Sequence, residues 1–479
     1  MSITFYLTTI CTDQELTINE DQILETLSEL ISPTQDSIKT ASIINYQEAE
    51  NRYARYSEPR PKKHITFLTY MAADNNLAFF ARKNLDQQAM IGSNNLINIV
   101  TELDTRLPNN QKVTKIYYVQ KNQLAILNDD NTQWQKMDSG NPETLIKFCK
   151  YAIKNFPADH YVLILWDHGT GIIDIGQYSA FNSSKLFRYN ADINMLELDR
   201  SMPFLEFITQ SLPDPRGLCF DDSTGHYISN QGLEYALKTI CNDCLGGKKL
   251  DIIGFDACLM SMLEIGNIIK DYADYMVGSQ EVELALGWRY DLVLAPALQH
   301  RITMNAFAQH IVAAYDEMYR KITRDYTQSA VALYNLQPLE ENVNNVALLL
   351  IEALKNEKGN TVRDALKASR HKIFCTHFVE QSFIDLHHFY SNALSNIPKF
   401  QFKNNALGAE IKKGLTKALQ QGIAIMQQIV IANAVGSGLA KAKGISIYFP
   451  EQRIHGSYAH TKFVQTNNWG AFISQYTKL

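Results

Sequence analysis

The chain has 479 residues, 46% of them hydrophobic, 20% charged, and a formal net charge of −5. This composition supplies a large buried core and excludes a disordered chain, with room for one large domain bearing an elaboration or for two domains. Lys and Arg are spread without a basic stripe, which argues against a nucleic-acid partner, and no apolar run approaches the length of a membrane-spanning helix.

Met1 to Asp13 carries neither a basic leader nor a long apolar stretch, so the expectation is cytoplasmic synthesis without Sec export. Export into a host cell by a signal-less route is equally compatible. Seven cysteines, an odd number and few for this length, suit a reducing compartment rather than a disulfide framework. Cys241-Asn242-Asp243-Cys244 is a lone pair with no second pair to complete a zinc site, and reads as two thiols near a helix end.

Residues 1–63 read as an appendage or prosegment. Ile23, Leu24, Leu27, Leu30 and Ile31 form one apolar stripe at helical spacing that Ser32-Pro33 stops, and Glu58-Pro59-Arg60-Pro61-Lys62-Lys63 reads as an extended linker. From His64 the pattern alternates between apolar strands and helix-length spacers. The strands are Ile65 to Met71, Leu96 to Leu103, Lys115 to Val119, Tyr161 to Trp166, Leu250 to Phe255 and Tyr275 to Val277. Such alternation predicts a mostly parallel sheet with helices on both faces, here over residues 64–300. A helix-rich region follows over 301–479, with helices at Asn305 to Ile322, Leu339 to Leu354, Phe378 to Leu394 and Asn405 to Ala434. Strands are predicted near Ser329 to Tyr334 and at Gly444 to Phe449, the latter returning to the main sheet. A G-x-G-x-x-G turn after a strand is missing, which removes the main support for a dinucleotide fold.

Two of the strands end in chemically competent residues. Tyr161 to Trp166 runs into Asp167-His168-Gly169, and Leu250 to Phe255 runs into Asp256-Ala257-Cys258. Ligands of open α/β sheets sit beyond the carboxyl ends of parallel strands, so His168 and Cys258 can converge on one crevice as a catalytic dyad. Either residue alone also suits a packing role. Gly169, lacking Cβ, lets a backbone N–H approach a reacting carbonyl, and with the amide of Cys258 it is a candidate oxyanion hole. Leu259 to Ile269 has a helical pattern, which would place the thiol at a helix N-terminus.

An ordered set of motifs resembles the clostripain family of cysteine peptidases. They are Tyr70-Met71-Ala72-Ala73-Asp74-Asn75-Asn76-Leu77, Leu165-Trp166-Asp167-His168-Gly169, Gly217-Leu218-Cys219-Phe220-Asp221-Asp222, Asp256-Ala257-Cys258-Leu259-Met260, Gly278-Ser279-Gln280-Glu281 and Gly287-Trp288-x-Tyr290. Ile445 to Pro450 and Trp469-Gly470-x-Phe472 extend the likeness toward the carboxyl end, and the first 60 residues lie outside it. The resemblance implies the caspase-like α/β/α sandwich shared with caspases, gingipains and legumains. It also implies a cysteine endopeptidase that cuts after arginine, and less readily lysine, with His168 and Cys258 as the dyad and Asp256 in the S1 pocket. A charge-assisted bond to such a carboxylate is worth about 1.5 to 3 kcal/mol, and arginine gains further from bidentate geometry.

Ser279 and Glu281 are further candidates for the cleft, as are Asp74 and Asn75. The family's Pro-Gly turn after Ser-Gln-Glu is replaced here by Val282-Glu283-Leu284-Ala285-Leu286, so the cleft wall is expected to differ. Relatives often mature by self-cleavage between the His and Cys blocks, which makes Lys185, Arg188 and Arg200 candidate cut sites and a monomer or a self-cleaved two-chain form the expected species. Lys62 and Lys63 are candidates for removal of a prosegment. No cofactor or metal is required by this reading. Calcium, which activates clostripain, has candidate oxygen ligands in Asp221-Asp222-Ser223-Thr224-Gly225, though without EF-hand spacing, and adjacent His387 and His388 would point apart on a helix. The expected partners are proteins or peptides with a basic P1 residue, with neither nucleic acid nor membrane. The competing expectation is a catalytically quiet protein that uses the same fold to hold a peptide.

Overall fold

The computed structural model describes residues 60–107, 111–127, 136–174, 186–190, 193, 195–200 and 217–478. The apolar stripe at Ile23 to Ile31 and the candidate cut site Lys185 lie outside these residues.

The longest apolar runs of the sequence become the centre of a nine-stranded sheet. In chain order its strands are β1 (Lys63–Ala73), β2 (Ile97–Arg106), β3 (Lys112–Gln120), β4 (Gln123–Ile126), β5 (Ala158–Trp166), β6 (Leu250–Asp256), β7 (Ala273–Gly278), β8 (Thr327–Ala332) and β9 (Val430–Val435). In space the order is β9-β8-β7-β6-β5-β1-β2-β3-β4. The five central strands pair parallel, and β3, β4, β8 and β9 extend the sheet antiparallel at its two sides. One continuous sheet thus draws strands from both sides of residue 300.

Alternate residues of β1 show the two layers of helices. Thr66 Oγ1 donates to Phe156 O at 2.6 Å and Tyr70 OH to Ser139 O at 2.9 Å, toward the side of α2 (Pro142–Asn155). On the opposite face Thr69 receives Gln88 Nε2 of α1 (Ala78–Ile91) at 3.1 Å, and Phe67 meets Phe307 of Met304–Tyr319. With α3 (Asn230–Leu245) packed beside α2, the expected α/β/α sandwich is present. The central strands are buried on both faces, which is why they read as nearly unbroken apolar runs. Among the described residues no helix is long and apolar enough to cross a membrane.

Three expectations require correction. The helix read as Asn405 to Ala434 stops at Ile429, where Ile429-Val430-Ile431 places three β-branched residues in a row, and the chain continues as edge strand β9 beside β8. That edge being taken, Ser446–Tyr448 does not return to the main sheet but pairs with Phe383–Asp385 in a small sheet of its own. The helix read from Phe378 begins only at Leu386, where the Asp385 carboxylate accepts the amide of His388 at 2.7 Å and caps it.

At the carboxyl ends of β1 and β2 three buried carboxylates share one cation. Lys112 Nζ lies 3.1 Å from Asp74 Oδ2 and 3.1 Å from Asp104 Oδ2 and also pairs with Asp221, while Arg106 pairs with Asp74. Burial pushes the Asp104 carboxyl up to about 7 against the pull of Lys112. Removing the ammonium leaves like charges facing one another without water. Lys112→Met is expected to lower stability by about 3 to 5 kcal/mol in urea unfolding. A loss below about 1 kcal/mol would show that the cluster holds nothing together.

Candidate active site

Strands β5 and β6 are parallel neighbours with Asp256 opposite Trp166, so the residues just past their ends emerge at one edge of the sheet. The Asp167 amide donates to the Asp256 carbonyl at 3.2 Å and extends this register by one residue. His168 and Cys258 consequently line the same cavity, along with Leu77, Asp256, Glu283 and Leu284. A Cβ added at Gly169 would stand 2.5 Å from the Cys258 carbonyl oxygen, so glycine is what lets the two strand ends approach.

The imidazole is held from the end of β1. Asn76 Oδ1 lies 2.9 Å from His168 Nε2, and because an amide oxygen only accepts, Nε2 carries the hydrogen and Nδ1 is the basic nitrogen. Burial pushes His168 down to about 3, so the ring is neutral as it stands. Asn75 bonds to Asp167 Oδ1 at 2.8 Å and to Phe220 O at 3.2 Å, tying the residue before the histidine to the neighbouring hairpin. Of the Asp74-Asn75-Asn76 run, the sequence reading favoured the first two, yet it is Asn76 that reaches the histidine, while Asp74 serves the Lys112 cluster.

The helix expected from Leu259 starts only at Leu263. Between them the chain turns at Cys258-Leu259, with Leu259 in the left-handed region at φ +64°, and runs on without helical bonds, Leu259 N donating to Glu281 O at 3.1 Å and Ser261 N to Ser279 O at 2.8 Å. Cys258 therefore does not sit at a helix N-terminus, and no helix dipole acts on its thiol. Instead Glu283 N donates to Cys258 Sγ at 3.2 Å. Residues 282–286 are all buried, and Glu283, Leu284 and Ala285 line the thiol's cavity of about 20 Å³, room for roughly one water. Asn84 of α1 anchors the far end of this segment, donating to Leu286 O at 3.1 Å and Trp288 O at 3.2 Å while receiving Trp166 Nε1 at 2.8 Å.

Asp256 points under the same segment. Its Oδ2 accepts from Trp288 N at 3.1 Å and Tyr290 OH at 2.8 Å, and its carboxyl faces that of Glu283. Burial pushes Asp256 up to about 7, and burial with the Asp256 charge beside it pushes Glu283 well above the usual carboxylate range. Two acids so close and so dry retain at least one proton at neutral pH.

Ser279 and Glu281 do not reach this cavity. Ser279 Oγ donates to Glu281 O at 2.9 Å and meets Thr327 Oγ1 at 3.0 Å. The Glu281 carboxylate takes Arg200 at 2.7 Å, Val379 N at 2.9 Å and Val282 N at 3.0 Å, so it is already satisfied inside the fold. Arg200 is also 3.5 Å from Asp325. Arg188, by contrast, is largely exposed and pairs only with Asp199 among the described residues, at 2.6 Å. Lys63 is the first residue of β1 and its Nζ bonds to Ile97 O at 3.2 Å, so a cut after it would open the sheet. At the Asp221 turn the Asp221 carboxylate already holds a cation, since Lys112 stands among Asp221, Asp74 and Asp104. Cys241, one half of the Cys-x-x-Cys, is buried on α3 with its thiol pushed up to about 11, which keeps it protonated and inert.

A thiol and an imidazole at adjacent strand ends of a three-layer α/β sandwich define the class of caspase-like cysteine hydrolase folds. The sequence profile of the clostripain family matches residues 69–198 and 206–476, and the chain belongs to that family. Clostripain from Hathewaya histolytica is 25% identical over 272 residues, which are 52% of this chain and 45% of that protein, so the chain matches less than half of its curated relative. Solved structures share the fold, among them the following two. A secreted C11 cysteine protease from Bacteroides thetaiotaomicron in complex with an irreversible peptide inhibitor has a TM-score of 0.54 at 18% identity, covering 85% of this chain and 99% of that one. An inactive zymogen C11 protease from Parabacteroides distasonis has a TM-score of 0.50 at 18% identity, covering 86% and 99%.

The acid pair makes stability depend on pH with a definite sign. Asp256 titrates near 4 when unfolded and about 7 when folded. The folded protein thus binds the extra proton, and the stability this contributes is present below about 4 and lost as pH rises through about 7. Glu283→Gln keeps a neutral hydrogen-bonding neighbour and removes one acid. Between about pH 5 and 8 the wild type is expected to lose roughly 2 kcal/mol more than Glu283→Gln in urea unfolding. His168 acts oppositely, its neutral burial costing stability as pH falls below about 6.5, but equally in both proteins. Identical pH profiles would exclude a shared proton.

Proposed function

We propose that this protein is a cysteine endopeptidase that cuts after basic residues, arginine before lysine. The observation that carries this reading is the meeting of His168 and Cys258 from two neighbouring parallel strand ends in one cavity beside the Asp256 carboxyl. Cys258 gives its thiol proton to His168 Nδ1 and attacks the scissile carbonyl as thiolate, the imidazolium passes that proton to the departing amine, and the thioacyl-enzyme left behind is opened by water with the imidazole as base. The amides of Gly169 and Cys258 receive the developing oxyanion. Asn76, by accepting from Nε2, holds the ring in one tautomer through both transfers.

A peptide enters only when Val282 to Leu286 moves off the thiol, because the covered cavity holds no more than about one water. A P1 guanidinium then takes the place that the shared proton has in the covered form, and Asp256 becomes a carboxylate facing a cation. Self-cleavage between the His and Cys blocks follows the same specificity. Of the two described candidates Arg188 has the exposed side chain and lies on a small hairpin whose backbone pairing with Glu197 has to open, whereas Arg200 would first have to leave Glu281 and Asp325.

A panel of fluorogenic peptides under reducing conditions tests the reading. Wild type is expected to prefer arginine over neutral P1 residues by roughly 10-fold or more, with Cys258→Ala inactive and Asp256→Asn losing the preference. Cleavage that persists in Cys258→Ala would refute the assignment. Asn76→Ala is expected to lower kcat by one to two orders of magnitude, on the scale of general acid-base catalysis, with KM little changed. A change in KM alone would assign Asn76 to substrate binding. In freshly made wild type, fragments ending at Arg188 rather than Arg200 are expected by mass spectrometry, and an active single chain would exclude self-processing.

A further inference from the structure

A second cavity, of about 460 Å³, lies apart from His168 and Cys258 and shares no lining residue with theirs. Its volume falls within the range of small-molecule sites. Arg200, Lys372, His377, His388 and Lys441 line it, and among the described residues no carboxylate does. The acids bonded at its edge are engaged elsewhere in the fold. Glu281 and Asp325 hold Arg200, and Asp385 is buried against Gln280 Nε2 and the amides of His388 and Lys443. Lys372 and Lys441 have no ion pair with any described residue.

His388 reports the field inside. Its Nδ1 accepts the Thr376 amide at 3.0 Å, which leaves the ring hydrogen on Nε2, a donor. Burial first, then the charges of Lys441, His387, Lys443 and His377, push it down to about 4. At the same cavity Ile373 is 73% and Phe374 57% exposed, an apolar pair left in water beside a set of donors. Cations and donors converging from several elements without an acid between them are arranged to receive negative charge.

We propose that this cavity binds a small anion of phosphate or carboxylate type bearing an apolar or ring-shaped body, and that its occupancy is transmitted to Cys258 through Arg200. The path is short. Arg200 holds the Glu281 carboxylate, the Glu281 carbonyl accepts the amide of Leu259 next to the thiol, and Val282, bonded to the same carboxylate, begins the segment that covers the thiol. An anion arriving at the guanidinium competes with Glu281 for it and loosens the start of the cover. Binding stands independently of the peptidase reading, whereas the effect on the thiol rests on it.

Calorimetric titration of the full-length Cys258→Ala protein with inorganic phosphate, ATP and citrate tests the site. At least one of these anions is expected to bind, and the Lys372→Ala/Lys441→Ala pair, on exposed side chains, is expected to weaken it tenfold or more. Phe374→Ala is expected to weaken ATP but not phosphate, and citrate against phosphate separates the two kinds of anion. Absence of binding by all three at about 1 mM, a ligand concentration suited to weak sites, or equal affinity in the double lysine variant, would overturn the site. In wild type, alkylation of Cys258 by iodoacetamide is expected to speed up several-fold with saturating anion and to stay constant in the double variant. Binding with an unchanged alkylation rate would keep the site and overturn the coupling. Anion binding by a protein that hydrolyses no peptide would leave the site standing and remove the peptidase reading instead.

Discussion

The register between β5 and β6 is the constraint on which the rest depends. With Asp256 opposite Trp166, a single residue of slip would turn every side chain past the strand ends to the opposite face and separate the imidazole from the thiol. Several features lock that register. The strands are buried on both faces, Gly169 lets the Cys258 carbonyl come close, and Asn84 binds Trp166 of β5 and the Leu286 to Trp288 turn from one side chain. The chemistry is thus specified by backbone pairing deep in the sheet, well before any catalytic side chain is considered.

The second theme is dryness. Around the thiol the same burial that assembles the residues also neutralises them: His168 is held as the neutral ring, and the Asp256 and Glu283 pair is held with at least one proton. A neutral histidine and a protonated acid pair suit a covered, resting site, since neither leaves an isolated charge in a low-dielectric interior. Water entering the cavity relaxes both tendencies, whereas a cationic side chain draws the proton from the acid pair alone. The covered and open forms of such a site differ in protonation as much as in shape.

Much of this was legible in the amino-acid order. Continuous apolar runs ending in His168 and Cys258 gave both the parallel sheet and the candidate dyad, because strands buried on both faces cannot alternate and because strand ends carry the chemistry. What escaped was set by contacts that periodicity does not encode. Val430 to Val435 follows a long helical pattern that only the β-branched run at Ile429 to Ile431 interrupts, and the unpaired edge of β8 draws it into the sheet. Leu259 to Met262 has helical spacing, yet bonds to Glu281 and Ser279 and a left-handed turn at Leu259 keep it out of the helix. Asn76 and Glu283 carried weak signals, one as the last polar residue of an Asp-Asn-Asn turn and the other within a block that departs from the family pattern. Ser279 and Glu281 sat beside the right strand end and turned inward, where Thr327 and Arg200 satisfy them.

The entry of the chain into the fold has a topological consequence. Arg60 stacks over Tyr118 at 4.3 Å and Phe156 at 4.0 Å, and Lys63 opens β1 opposite Ala158, at the amino edge of the parallel strands. The thiol lies at the carboxyl edge. Eleven residues of extended strand separate the two, a span of roughly 35 Å. At Arg60 and Lys63 the chain therefore enters the sheet at the edge remote from the cleft, and β1 carries it across the full depth of the fold to the site.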